Sequence, residues 1–102
     1  MPSKRTKALA ISDDVRAKVL ARDNHKCIIC KTTTGLTLAH YVNRGKGGLG
    51  VVENLVTLCL NCHFKTDQTI SRKKYLEFIK VYLIWKHEGW SEEKLKYGNR
   101  TN

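Results

Sequence analysis

Residues 54–63 read Asn54-Leu55-Val56-Thr57-Leu58-Cys59-Leu60-Asn61-Cys62-His63. Within ten residues they hold a β-prone apolar run, a Cys-x2-Cys pair and a histidine fixed beside it. Asn54–Leu58 predicts a strand, and a helix is predicted to open near Cys59 and run through Asp67. A second Cys-x2-Cys stands upstream, Cys27-Ile28-Ile29-Cys30, with 28 residues between the pairs. Two matched knuckles are the spacing of a tetrahedral zinc site, because each presents two thiolates to one ion. Cys27, Cys30, Cys59 and Cys62 would fill its coordination sphere, so the zinc would be structural. A redox reading explains one pair and leaves the other unused. Four unliganded buried thiols would leave both spacings unexplained.

Between the knuckles, Leu36-Thr37-Leu38-Ala39-His40-Tyr41-Val42 alternates as a strand. Four glycines follow within Asn43–Gly50, a loop able to approach a ligand closely. Upstream, Ser12 is a plausible N-cap, with Asp13 and Asp14 in the first turn. Val15, Val19 and Leu20 share a face of that helix, which should fray before Asp23. Downstream, Ser71 is expected to cap a helix whose stripe is Tyr75, Phe78, Ile79, Tyr82 and Leu83, and Gly89 to end it. Ser91 should cap a shorter segment, Glu92–Tyr97. Trp85 and Trp90 are expected to pack between these helices.

The chain has 102 residues, 41% of them hydrophobic, with 19 Lys and Arg against nine Asp and Glu. This fits one small domain and excludes a disordered chain. The longest apolar runs, Ala8–Ile11 and Val81–Trp85, are far below the roughly 20 residues of a membrane span. No h-region follows Lys4, Arg5 and Lys7, so no signal peptide and a cytoplasmic location are expected. The formal charge of +10 falls to +8 with four thiolates and a divalent ion. That excess points to a polyanion, nucleic acid first.

Of four histidines, two have context. His40 ends a predicted strand. His63 follows Cys62, and Asp67 lies four residues on, on the same helix face. Such a pair can share a divalent metal or simply hydrogen-bond at the surface. His25 and His87 carry no motif.

Leu38-Ala39-His40-Tyr41, Asn54–Cys59 and Cys62-His63 together resemble the HNH endonucleases, named for a His, an Asn and a His. The resemblance extends over residues 16–67, including the lead-in Arg16, Val19, Leu20, Arg22 and Asp23. The glycine loop and tail look like the small HNH proteins of tailed phages, often encoded beside packaging terminases. The resemblance implies an α+β fold: a ββα-metal core over about 36–68 with a four-cysteine zinc and flanking helices. A basic arm over 1–11 would precede a single domain over 12–102, with a helical extension over 71–97. His40 would be the general base, Asn54 the orienting residue, and His63 a ligand of a catalytic Mg²⁺, Mn²⁺ or Ni²⁺, with Asp67 beside it. The substrate would be DNA, cut to a 5′-phosphate and a 3′-hydroxyl with little sequence preference. Terminase subunits would be possible partners.

Much of the family has Asp or His before the base as a metal ligand. Ala39 stands there and has no donor atom. Metal binding would then be weak until DNA supplies phosphate oxygens. Arg44 and Lys46, flanking the glycines beside His40, are the expected phosphate clamps. The arm and Arg72, Lys73 and Lys74 either extend that footprint or form a solvated surface. The competing reading is a non-catalytic zinc module that binds DNA as an accessory subunit of a terminase complex. A zinc-ribbon transcription factor explains the cysteines but not His40, Asn54 and His63.

Overall fold

Two five-residue strands hold the centre of the computed structural model, which describes residues 3–98. Strand β1 (Leu36–His40) pairs antiparallel with β2 (Leu55–Cys59), Leu36 opposite Cys59 and His40 opposite Leu55. β1 stops before the expected Val42. There Asn54 captures the backbone instead: its carbonyl accepts from Tyr41 N–H, and its side-chain oxygen from Val42 N–H. β2 runs one residue later than the predicted 54–58. Helix α3 (Leu60–Gln68) follows it without a linker, the Cys59 sulfur accepting from Cys62 N–H.

Every residue of β2 is buried, because both faces of the hairpin are covered. On one side lies helix α2 (Asp13–Arg22), begun by the Ser12 hydroxyl, which accepts from Val15 N–H at 3.1 Å. Its Val19 packs with Leu38 and Leu55. On the other side Ile28, Ala39, Val56 and Leu58 pack with Ile79 and Leu83 of helix α4 (Arg72–Lys86). This is a small α+β fold, in which a two-stranded sheet is sandwiched by helices. No helix among the described residues is long and apolar enough to cross a membrane.

The flanks depart from expectation. The basic arm is partly folded: Lys4–Leu9 form a short helix, α1, capped by Ser3, with Leu9 buried. Met1, Pro2 and the expected domain limit at 102 lie outside the described residues. Ser71 is not a side-chain cap of α4; its own N–H is bound by the Thr69 hydroxyl. α4 ends at Lys86, before Gly89. Its predicted stripe is split, since Phe78 is 48% exposed. Trp85 is 74% exposed and is not packed between helices. Trp90 is half-buried, edge-on to Tyr41, and donates to the Glu53 carbonyl at 2.7 Å. Glu92–Leu95 form a single 3₁₀ turn without a Ser91 cap.

One buried ion pair ties three elements together. Asp23 is buried at the end of α2, where only fraying was expected. Its carboxylate accepts from Arg22 Nε (2.7 Å) and Nη2 (2.9 Å), from Thr57 N–H of β2 (2.9 Å) and from the Tyr82 hydroxyl of α4 (2.5 Å). Arg22 in turn donates to the carbonyls of Val52 and Leu55 and to His87 Nε2. Burial pushes the Asp23 carboxyl up, but Arg22, Tyr82 and Thr57 together hold it below the usual value of 3.8. Removing one partner strands the other charge, so Asp23→Ala should lose about 3–5 kcal/mol in urea unfolding of the zinc-loaded protein. A loss below about 0.5 kcal/mol, typical of surface sites, would contradict this account.

Candidate metal centres

The first knuckle lies in the loop after α2, held to β2 by Ile28 N–H on the Thr57 carbonyl at 3.0 Å. Lys31 closes its turn in the left-handed region, φ +69°. The second knuckle is the junction of β2 and α3. The fold brings all four free thiols together, every sulfur within 4.8 Å of the others. Tetrahedral coordination at a Zn–S length of about 2.3 Å requires sulfurs about 3.8 Å apart. Cys30 and Cys59 sulfurs are 3.6 Å apart. Cys27 and Cys62 are buried, and Cys30 is exposed. Burial pushes the Cys27 thiol up, but N–H groups of Cys30, Cys59 and Ile29 outweigh it and draw it down to about 7. Burial and the neighbouring sulfurs drive Cys62 up. The cluster favours one thiolate and resists more, unless a cation sits among them. The donor set fits zinc, as the spacing predicted.

The hydrogen bonds of Thr37 fix the tautomer of His63. The Thr37 hydroxyl donates its only proton to the Leu58 carbonyl at 2.8 Å. Its contact with His63 Nδ1, at 2.7 Å, must therefore be an acceptance. The neutral ring then carries its proton on Nδ1 and a bare lone pair on Nε2. That lone pair faces Asp67 Oδ2 at 3.3 Å. Two acceptors at this distance repel unless a proton or a metal ion lies between them. The structure thus brings His63 and Asp67 together, while Thr37 holds the ring. Thr37 went unread because its partner is 26 residues away and nothing local marks it.

His40 ends β1, half-buried. Its Nε2 lies 3.2 Å from the Leu9 carbonyl at the end of α1. A carbonyl has no proton, so Nε2 donates, and Nδ1 keeps the lone pair in the neutral ring. Burial lowers the His40 pKa below 6.5; the Leu9 carbonyl opposes this, and the positive fields of Arg44 and His63 add to it. At neutral pH the ring is therefore a free base. Leu9 acts through its backbone, so no residue type in the sequence marks it. Ala39, beside His40, is buried with Cys27, Ile28 and Val56 and holds a packing position.

Asn54 is fully buried. Beyond its bond from Val42 N–H, its amide donates to the carbonyls of Val42 (3.0 Å) and Leu49 (2.9 Å). It pins both ends of the glycine loop. Two of those glycines are required by close approach: a methyl group at Gly48 would overlap the Val42 carbonyl, and one at Gly50 the Ala10 carbonyl. Both flanks bind the loop too, through Gly50 N–H to Ala8, Leu49 N–H to Leu95 and Tyr97 N–H to Gly47. The loop is therefore held from both sides. Only its tip, Asn43–Lys46, is exposed, with the Asn43 side chain capping the turn at Lys46 N–H. Arg44 and Lys46 project from this tip. No protein-family model matches the chain, and no curated protein matches it.

Zinc should bind in a ratio of one ion per chain. Binding free energies of about 10–16 kcal/mol, as in zinc-finger peptides, are folding free energy, so a strong chelator should unfold the chain. Mass spectrometry under native conditions and far-UV circular dichroism check both. A chain that stays folded and metal-free would refute the site.

Proposed function

We propose that the chain is a divalent-metal-dependent DNA endonuclease of the HNH class. The observation that carries this reading is the pair of opposed tautomers. His63 directs a bare Nε2 at the Asp67 carboxylate while Thr37 holds its Nδ1, and His40 keeps a bare Nδ1 while the Leu9 carbonyl holds its Nε2. A structural zinc module needs neither arrangement.

In this reading His63 Nε2 and Asp67 hold the catalytic cation. When bound, the cation would act as Lewis acid toward the scissile phosphate and the leaving 3′-oxygen. His40 Nδ1 takes a proton from water as the water oxygen attacks phosphorus. The P–O3′ bond breaks, its electron pair leaves on the 3′-oxygen, and that oxygen takes a proton from solvent water, giving a 5′-phosphate and a 3′-hydroxyl. The Leu9 carbonyl keeps the His40 ring in the tautomer that can do this, and Asn54 fixes the loop beside it. Arg44 and Lys46 bind backbone phosphate, so binding should weaken with salt and discriminate little between sequences. The core packing of Ala39 favours a second reading: a weakly active or inactive zinc-containing DNA-binding subunit, acting within a packaging complex such as a terminase.

Plasmid nicking with Mg²⁺, Mn²⁺ or Ni²⁺ separates the two. Wild type should nick, and His40→Ala should lose about 10²–10⁴-fold. Because the His40 pKa lies below 6.5, the rate should be level at neutral pH and fall only as pH drops through that lower value. Arg44→Ala removes a field that lowers the pKa and should move this acid limb upward. Equal cleavage by wild type and His40→Ala would reject His40 as base. DNA binding without cleavage by either would favour the second reading.

A further inference from the structure

Arg44–Lys46 form a single 3₁₀ turn, in which side chains two apart leave the axis about 120° from each other. The two cations of the tip therefore face different ways. The Arg44 charge is felt at His40. Lys46 lines a depression of about 200 Å³ between the tip, the start of α4 and the last turn of the chain. Arg72, the first residue of α4, and Lys96, which follows the Glu92–Leu95 turn, stand in the same wall. Each backbone is held in place. The Asn43 side chain accepts from Lys46 N–H at 3.1 Å, and Arg72 N–H donates to the Thr69 carbonyl at 3.0 Å. Lys96 pairs with Gly48 across an isolated bridge. The fold itself thus gathers three cations from three distant parts of the sequence.

Like charges around one concavity repel, and the fold does little to relieve them. Among the described residues Lys46, Arg72 and Lys96 form no ion pair, whereas Lys18 and Arg22 do. Glu92, the carboxylate in the same wall, accepts from the Tyr41 hydroxyl at 3.2 Å. Three cations against that carboxylate leave the depression two charges positive. A concavity lined by one sign of charge concentrates the opposite ion, and cations converging from several directions suit the oxygens of a phosphate. The surroundings select a phosphate within a chain over a free one. Arg5 of α1 donates to the Arg44 carbonyl at 3.4 Å, so it too stands at the tip. Cations thus continue from Arg5 and Arg44 through Lys46 to Arg72 and Lys96. Each strand of a duplex carries a phosphate about every 3.4 Å along the axis, so a strand lying over the tip meets the run at several points. Lys74 stands outside this run, in a depression lined by Ile29, Tyr75 and Phe78.

We propose that the depression walled by Lys46, Arg72 and Lys96 is a backbone-phosphate subsite for duplex DNA, separate from the site at His40 and His63. It takes DNA as partner from the functional reading above but does not depend on cleavage. Fluorescence anisotropy of a labelled duplex, titrated with the zinc-loaded His40→Ala chain at several salt concentrations, tests it. That background keeps the DNA intact. Arg72→Ala and Lys96→Ala should each weaken binding about threefold or more, equally for unrelated sequences, and lower the slope of log affinity against log salt by about 1. Zinc content and circular dichroism should match the parent. Glu92→Gln keeps an oxygen for Tyr41 but removes the negative charge, so it should tighten binding, a gain that misfolding cannot produce. Lys74→Ala should leave the slope unchanged. Equal affinity and slope for the parent, Arg72→Ala and Lys96→Ala would overturn the subsite and leave the DNA reading standing. So would a loss as large from Lys74→Ala, or no gain from Glu92→Gln. A parent chain that does not bind duplex DNA would overturn both.

Discussion

Four sulfurs within 4.8 Å of one another dominate this fold. Like charges so close cannot all ionise without a cation, and four protonated thiols would leave the space among them unbonded. Much of the architecture hangs on this one point. It anchors the loop after α2 to the end of β2. It sets the first residue of α3, because Cys59 and Cys62 span the strand–helix junction. His63 is the next residue, so its position follows from the knuckle. A hairpin of two five-residue strands is marginal alone. Here it is clamped by the sulfurs at one end and by Asn54 at the other.

The second organising feature is polar and buried. Arg22 and Asp23 reach β2, α4 and the turn before β2 with full hydrogen bonding. Losing either charge of such a pair strands the other in the interior. The pair fixes how α2 and α4 sit on opposite faces of the same hairpin. α1 and the last turn then grip the glycine loop from two sides. The exposed tip with Arg44 and Lys46 thereby projects from an anchored base.

The sequence was most legible where chemistry is local. Paired Cys-x2-Cys spacing gave the sulfur cluster, and the alternation at Leu36–His40 gave a strand. His63 and Asp67, four apart, do share a helix face. What escaped was carried by distant or backbone partners. Thr37 fixes a histidine far along the chain, and Leu9 acts through its carbonyl. Asp23 looked like a helix end because its partners come from three other elements. Tertiary packing also divided the α4 stripe: the periodicity showed a helix but not that it is apolar on both sides. The basic composition of 1–11 hid the buried Leu9 that lets α1 dock.

The central claim is that His63 Nε2 and Asp67 share a divalent cation next to a neutral His40. Anomalous diffraction at the manganese edge, from crystals grown with Mn²⁺ and a short DNA duplex, tests it most directly. The account predicts an anomalous peak at coordination distance from His63 Nε2 and Asp67, against a backbone phosphate and beside His40. A duplex bound at the Arg44–Lys46 tip with no manganese between His63 and Asp67 would contradict it.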